Sequence, residues 1–151
     1  MALVHEKLYM SDDLSSINFE EYLKDLVKNI YETFKTENND IRIKINVEKV
    51  FMSVDIAISL ALIINELASN SFKYAFPDNR KGEIYIILRK QEDGKFILIL
   101  GDNGVGFSEE IDFENTKTLG LQLVDILVTQ LDGTITINRS HGAEFVITFQ
   151  A

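Results

Sequence analysis

The sequence predicts a two-layer α/β sandwich, a mixed and mainly antiparallel sheet of about five strands with helices on one face. Short apolar or alternating stretches bounded by glycine, asparagine or aspartate predict the strands. Longer stretches with apolar residues at helical spacing predict the helices. The 151 residues, 46% hydrophobic and 26% charged, are enough for one domain with a substantial core.

The first predicted helix begins after Asn18, which forms a capping-box pattern with Glu21. Its apolar side consists of Phe19, Tyr22, Leu23, Leu26, Ile30 and Phe34. A turn at residues 38–40 separates this helix from a half-buried strand, in which isoleucine or valine alternates with polar residues over 41–47.

A long apolar helix is predicted next, from about Val54 to Ala75, with Pro77 ending it. Two apolar strands follow, Ile84–Leu88 and Phe96–Leu100, and Asp93-Gly94 between them indicates a hairpin. Strands joined by such a short turn pair antiparallel.

The stretch from Gly104 to about Leu119 has few apolar residues and no clear periodicity. Loops of this length in compact domains are uncommon and usually functional. Glycines at its two ends indicate a flexible lid over a ligand, with a surface loop of no function as the alternative. A third helix then ends near Leu131 before Gly133, and two strands, Thr134–Asn138 and Ala143–Phe149, complete the chain.

Three polar residues interrupt the long apolar helix in one row. Glu66, Asn70 and Lys73 stand at i, i+4 and i+7, which places them within an arc of ~60° on an α-helix. Packing does not require a carboxylate, a carboxamide and an ammonium in one row. A site that binds a metal and phosphates would require such a row. The alternative is an ordinary stripe of solvated residues.

Asp102 ends an apolar strand directly before Asn-Gly-Val-Gly. A carboxylate at that depth needs a partner, because burial of an unpaired charge is costly. The exocyclic amine of adenine is a suitable donor, whereas guanine offers a carbonyl oxygen at the corresponding place. Taken alone, Asp-Gly-type turns of this kind are also common in hairpins.

Charge and composition exclude several classes of protein. The formal net charge of −9 argues against a nucleic-acid binder, which normally has a basic surface. No apolar run approaches the ~20 residues of a membrane span, so no membrane contact is expected. The absence of cysteine excludes disulfides and thiolate chemistry and is compatible with a cytoplasmic location.

The order of four motifs, NELASNSFKYAF, DNGVGF, TLGLQLV and HGAEFVITF, resembles the ATP-binding domain of the GHKL superfamily. Within that superfamily, the sequence is most similar to sensor histidine kinases related to the HWE subfamily. The resemblance implies the Bergerat fold, a two-layer sandwich with an ATP lid. It also implies that residues 1–17 are the end of a dimerisation region and connector, and that residues 18–151 are the ATP-binding catalytic domain.

The resemblance implies roles for the residues of the first two motifs. Asn70 would coordinate the Mg²⁺ that bridges the ATP phosphates, and Glu66 would be the catalytic acidic residue near the γ-phosphate. Lys73 and Tyr74 would lie beside the phosphates and the ribose. Asp102 would bind adenine.

The remaining motifs imply further cofactor-binding residues. Gly104 and Gly106 would act as the hinge of the lid and allow close approach to the base. Gly120 would contact phosphate at the end of the lid, next to Leu121, and Thr148 would assist adenine binding through water.

The chain departs from the family pattern in two ways. The glycine box of the family often contains Gly-Thr, whereas this chain has Gly142-Ala143 and lacks that hydroxyl. The two histidines, His5 and His141, do not match the phosphoacceptor motif. The expected partners are therefore the acceptor-histidine dimerisation domain of the parent kinase and, through that histidine, a response regulator, and the isolated chain is expected to be a monomer.

Two other functions are compatible with the same motifs. One is a stand-alone serine kinase of the anti-sigma-factor type, and the other is an ATP-binding module without catalysis. The similarity of the first residues to histidine kinases counts against the former. The presence of both Glu66 and Asn70 counts against the latter.

Overall fold

One sheet of five strands forms the first layer of the molecule. The computed structural model describes residues 16–35, 40–76, 81–105, 119–139 and 142–150. In these ranges the sheet has the order β2-β4-β5-β7-β6, with β2 at Ile41–Val47, β4 at Gly82–Lys90, β5 at Lys95–Asp102, β6 at Thr134–Asn138 and β7 at Ala143–Gln150. Strand β2 pairs parallel with β4 and the other neighbours pair antiparallel. The predicted mixed, mainly antiparallel sheet is confirmed.

In the described part of the chain, three α-helices form the second layer: α1 (Phe19–Phe34), α2 (Val54–Asn70) and α3 (Leu119–Gln130). The side chains of the strands alternate, and one set packs under the helices while the other faces away. The predicted cap of α1 is present, since the side chain of Asn18 accepts a hydrogen bond from the Glu21 N–H at 3.4 Å. Ser53 caps α2 in the same way.

Helix α2 lies at the centre of the core. Together with the turn that continues it, the segment Val54–Ala75 is long and apolar enough to cross a membrane by length and composition alone, contrary to the expectation from sequence. Half of its most apolar window is buried inside the molecule, and Leu60, Ile63 and Ile64 are completely buried. This is the pattern of a core helix in a folded domain.

Three local features were not predicted. Strands β1 (Ile17–Asn18) and β3 (Phe51–Met52) form a small antiparallel pair beside the start of α1. The β4–β5 hairpin closes through a 3₁₀ turn at Glu92–Gly94, where Asp93 and Gly94 both have positive φ (59° and 73°). Helix α2 continues directly into a π-helical turn at Ser71–Ala75, here named the π turn.

Several predictions fall outside the described residues. These are residues 1–15 of the predicted connector, residues 38–39 of the predicted turn, Pro77, and most of the predicted lid, including Gly106. The domain boundary at residue 17 also remains a prediction. Helix α1, which follows that boundary, contributes Phe19, Leu23 and Ile30 to the same core as α2.

Candidate active site

The buried carboxylate of Asp102 is the centre of the candidate site. The residue ends β5 and is 3% exposed. Its Oδ2 accepts a hydrogen bond from the Ser71 hydroxyl at 2.8 Å. Its Oδ1 accepts from the Gly104 N–H at 3.0 Å and from the Ala143 N–H at 3.4 Å. Donors from the π turn, the end of β5 and the start of β7 thus offset the cost of burying this charge.

Gly104 lets the backbone after β5 pack directly against the π turn. A Cβ at this position would lie 2.3 Å from the Ala75 carbonyl oxygen. The next residue, Val105, donates its N–H to the same carbonyl at 2.9 Å. The structure therefore explains this glycine by close packing of two backbones, which fixes the distance between Asp102 and the π turn.

Gly142 brings the start of β7 equally close to Asp102. It has a φ of +84°, and a Cβ there would lie 2.2 Å from the Asp102 carbonyl oxygen. Only glycine adopts this conformation without strain. The contact to the carboxylate comes from the main-chain N–H of Ala143, so the missing hydroxyl of the Gly-Thr pattern is not needed for it.

Glu66 and Asn70 occupy the last part of α2, one turn apart, and both side chains are half-buried. Among the described residues, neither side chain has a hydrogen-bond or ion-pair partner. No cluster of three or more acidic, histidine or cysteine side chains that could hold a metal exists in the same part of the chain. The free carboxamide oxygen of Asn70 suits Mg²⁺, which keeps several waters and takes few protein ligands when substrate phosphates supply the rest.

Lys73 and Tyr74 lie in the π turn and are exposed. The Lys73 ammonium lies 5.7 Å from the centroid of the Phe34 ring, at the end of α1, and Phe34 stacks on Phe72. The predicted single row with Glu66 assumed a continuous α-helix. The wider π turn changes the phase of the helix after Asn70, and the structure places Lys73 over an aromatic ring of α1.

The end of the predicted lid is only partly described. Gly120 and Leu121 lie in the first turn of α3. The side chain of Leu121 is buried in the core. Contacts between Leu121 and a ligand would therefore involve its main chain.

The structure does not bring Thr148 to the site, which corrects the prediction from sequence. Its hydroxyl lies 2.6 Å from that of Thr134. On β7 it alternates with the core residues Ile147 and Phe149, so it faces away from the helices. It lies five positions along the strand from Ala143, which is paired with Asp102.

A tyrosine supports the end of β5 from the face of the sheet that has no helices. The Tyr85 hydroxyl donates to the Glu144 carboxylate at 2.5 Å. It passes over Gly101, where a Cβ would lie 2.4 Å from that hydroxyl. Burial, and then the hydrogen bond and charge of Glu144, raise the pKa of Tyr85 above its usual value.

Reasoning from sequence missed two donors to Asp102. Ser71 follows Asn70 in an otherwise apolar run and is 6% exposed, so its only sequence signal is a hydroxyl at a core position. Ala143 acts through its main chain and has no signal beyond the glycine that precedes it.

Comparison with known families gives two matches. The model for histidine kinase-, DNA gyrase B- and HSP90-like ATPases matches residues 55–151, which contain α2, the π turn and β4 to β7. A histidine kinase model of the HisKA_2 type matches residues 1–34. Both parts of the resemblance seen in the motifs are confirmed.

Similar proteins of known sequence are sensor histidine kinases. PdtaS of Mycobacterium tuberculosis is 29% identical over 97% of this chain. ComP of Bacillus subtilis is 31% identical over 72% of it. The chain spans 30% of the length of PdtaS and 14% of that of ComP.

Solved structures have the same fold. The histidine kinase domain of the blue-light activated kinase EL346 of Erythrobacter litoralis superposes with a TM-score of 0.86 at 20% identity, over 98% of this chain and 70% of that one. The Acinetobacter baumannii histidine kinase AdeS superposes with a TM-score of 0.71 at 17% identity, over 99% and 74%. The match over residues 55–151 shows that this chain belongs to the family of histidine kinase-, DNA gyrase B- and HSP90-like ATPases, and the fold agrees with that assignment.

Proposed function

We propose that this chain binds Mg²⁺·ATP at Asp102 and Asn70 and transfers the γ-phosphoryl group to a histidine of a dimerisation domain. The observation that carries the proposal is the Asp102 carboxylate, buried yet held by donors from three elements and adjacent to the end of α2. From that histidine the phosphoryl group would pass to a response regulator in the cytoplasm. The match of residues 1–34 to a histidine kinase model favours this function over a serine kinase of the same fold.

Each residue has one part in the proposed reaction. Asp102 accepts a hydrogen bond from the amine of adenine, and Asn70 donates its carboxamide oxygen to the metal. A bound Mg²⁺ would supply positive charge that offsets the negative charge developing during transfer. Glu66 lies one helical turn before Asn70 and would accept the proton of the attacking histidine.

Residues of the π turn, the lid and the start of α3 would complete the proposed site. Gly120, next to Leu121 in the first turn of α3, would contact phosphate, since a helix N-terminus suits an anion. Gly106, which lies outside the described residues, would act as a hinge of the predicted lid. Lys73 and Tyr74 project from the π turn toward solvent, where they reach phosphate and ribose once Lys73 leaves the Phe34 ring.

Two variants of α2 separate binding from chemistry. We expect Asn70→Ala to weaken Mg²⁺-dependent ATP binding in calorimetry by about tenfold or more, because the metal loses a protein ligand. We expect Glu66→Ala to keep most of the ATP affinity and to lower the rate of phosphoryl transfer to a supplied acceptor domain by roughly 10²-fold or more.

Ser59→Ala, on the same helix far from Asn70, serves as the control and should retain both properties. Transfer by Glu66→Ala at the original rate would contradict the catalytic role of Glu66. Unchanged Mg²⁺ dependence in Asn70→Ala would contradict its role as a metal ligand.

A further inference from the structure

Within the described residues, the hydrogen bonds to Asp102 leave one acceptor position open to a ligand. A carboxylate has about four lone-pair positions, two on each oxygen. The N–H groups of Gly104 and Ala143 occupy Oδ1. The Ser71 hydroxyl occupies one position on Oδ2, so the described contacts leave one position, on the oxygen next to the π turn.

From this count we propose that Ser71 is a positioning residue that makes Asp102 select adenine over guanine. The inference rests on the proposed ATP site and adds the residue that sets its base preference. Adenine needs one acceptor for its exocyclic amine, which the open position on Oδ2 supplies. Guanine carries two adjacent donors, N1–H and the 2-amine, and these need both carboxylate oxygens side by side.

Ser71 fixes the carboxylate because the other contacts come from the backbone and bind one oxygen only. The terminal torsion of an aspartate is broad, so a carboxylate held at Oδ1 alone can turn about that torsion. The Ser71 hydroxyl removes this freedom by holding Oδ2 at 2.8 Å. Its own position is set by the start of the π turn, where its N–H donates to the carbonyls of Leu67 and Ala68.

The chain offers a matched control two residues earlier. Ser69 is as buried as Ser71, at 8% against 6% exposure, and stands on the same helical segment. Asp102 receives no hydrogen bond from it in the described part of the structure. Loss of a buried serine hydroxyl as such can therefore be separated from loss of the contact to Asp102.

The test measures ATP and GTP affinity by calorimetry with Mg²⁺, for the chain and for Ser71→Ala, Ser71→Thr and Ser69→Ala. We expect Ser71→Ala to weaken ATP binding by roughly tenfold and to reduce the preference for ATP over GTP by a similar factor. Ser71→Thr keeps the hydroxyl and should keep the preference, as should Ser69→Ala. The ratio of the two affinities, taken on one preparation, does not depend on the folded fraction.

The measured affinities test the role of Ser71 and the proposed ATP site separately. An unchanged ATP-to-GTP ratio in Ser71→Ala, or an equal loss in Ser69→Ala, would overturn the role of Ser71. If Ser71→Ala does not fold, Ser71→Cys replaces it, since the thiol is a weaker donor of similar shape, and an unchanged ratio there would overturn the proposal equally. An unaltered chain that binds GTP as tightly as ATP would instead overturn the proposed site itself.

Discussion

Three residues with small or absent side chains determine how Asp102 is held. Ser71 contacts one carboxylate oxygen, Gly104 brings its N–H to the other, and Gly142 allows β7 to begin against the Asp102 backbone. Larger residues at the two glycines would meet backbone atoms at 2.2–2.3 Å. The position of the Asp102 carboxylate therefore depends on how closely three backbone segments approach each other.

The first prediction at this scale concerns Asp102→Asn. The substitution replaces one acceptor oxygen with an amide that faces donors, so at least one buried donor loses its partner. We expect ATP affinity to fall by ~1–3 kcal/mol, or about five- to 150-fold, in calorimetry at constant Mg²⁺. Thr148→Ala, on the opposite face, should bind ATP normally, and the account would be contradicted if the two variants behaved alike.

The sequence predicted which side chains belong to the site better than it predicted which backbone segments lie close together. Asp102 was predicted from its place at the end of an apolar strand, and the structure places it there in a buried position. Ser71 could not be predicted, because its role requires the π turn to lie against the end of β5. Thr148 was misassigned because its distance from Asp102 depends on strand register and on which face of β7 it occupies.

At the scale of elements, the π turn is the feature that connects α2 with β5. It follows Asn70 directly, and through Ser71 and Ala75 it contacts the last residues of β5 and those just after it. π-Helical turns are rare in proteins overall, and those that occur often lie at functional sites. Periodicity in the sequence predicted a helix to Ala75, which is correct in extent, but it could not show the change of helix type that turns Lys73 toward Phe34.

The hydrogen bond between Tyr85 and Glu144 joins β4 to β7 across Gly101 and predicts a pH dependence. The pKa of Tyr85 is raised in the folded state. Its contribution to stability is thus complete below the unfolded pKa of about 10 and is lost as pH rises above that value. We expect Tyr85→Phe to be less stable by roughly 1–2 kcal/mol at pH 7 and to lose less further stability above pH ~10 than the unaltered chain.

Urea unfolding between pH 7 and 11 measures this difference. Tyr31→Phe is the control, because Tyr31 is exposed and lies at the surface of α1. It should retain the alkaline loss of stability of the unaltered chain. Parallel stability curves for Tyr85→Phe and the unaltered chain above pH 10 would contradict the assignment.

For the whole molecule, the sequence predicted the architecture correctly because each element has its own local signal. The cap at Asn18, the alternation in β2 and the hairpin at Asp93-Gly94 are all found in the structure. The short β1–β3 pair was missed, since two-residue strands leave no periodicity. The parallel pairing of β2 with β4 also depends on topology rather than on either strand alone.

We expect the nucleotide site and the phosphoacceptor histidine to lie on separate domains. Asp102, Asn70 and Glu66 lie within one domain, and we expect that domain to bind nucleotide by itself as a monomer. Transfer to a histidine on another domain would need alignment of that histidine with the γ-phosphate. In trans this should be slow, because no linker raises the local concentration of the acceptor into the ~mM range.

Phosphoryl transfer between separate domains tests the central claim most directly. The chain would be incubated with labelled Mg²⁺·ATP and a separate histidine-bearing dimerisation domain of a sensor histidine kinase, with Glu66→Ala and His5→Gln variants in parallel. We predict acid-labile phosphate on the acceptor domain, strong loss of it with Glu66→Ala, and full retention with His5→Gln. Acid-stable phosphate on serine or threonine, or stoichiometric label on His5 of the chain itself, would contradict the account.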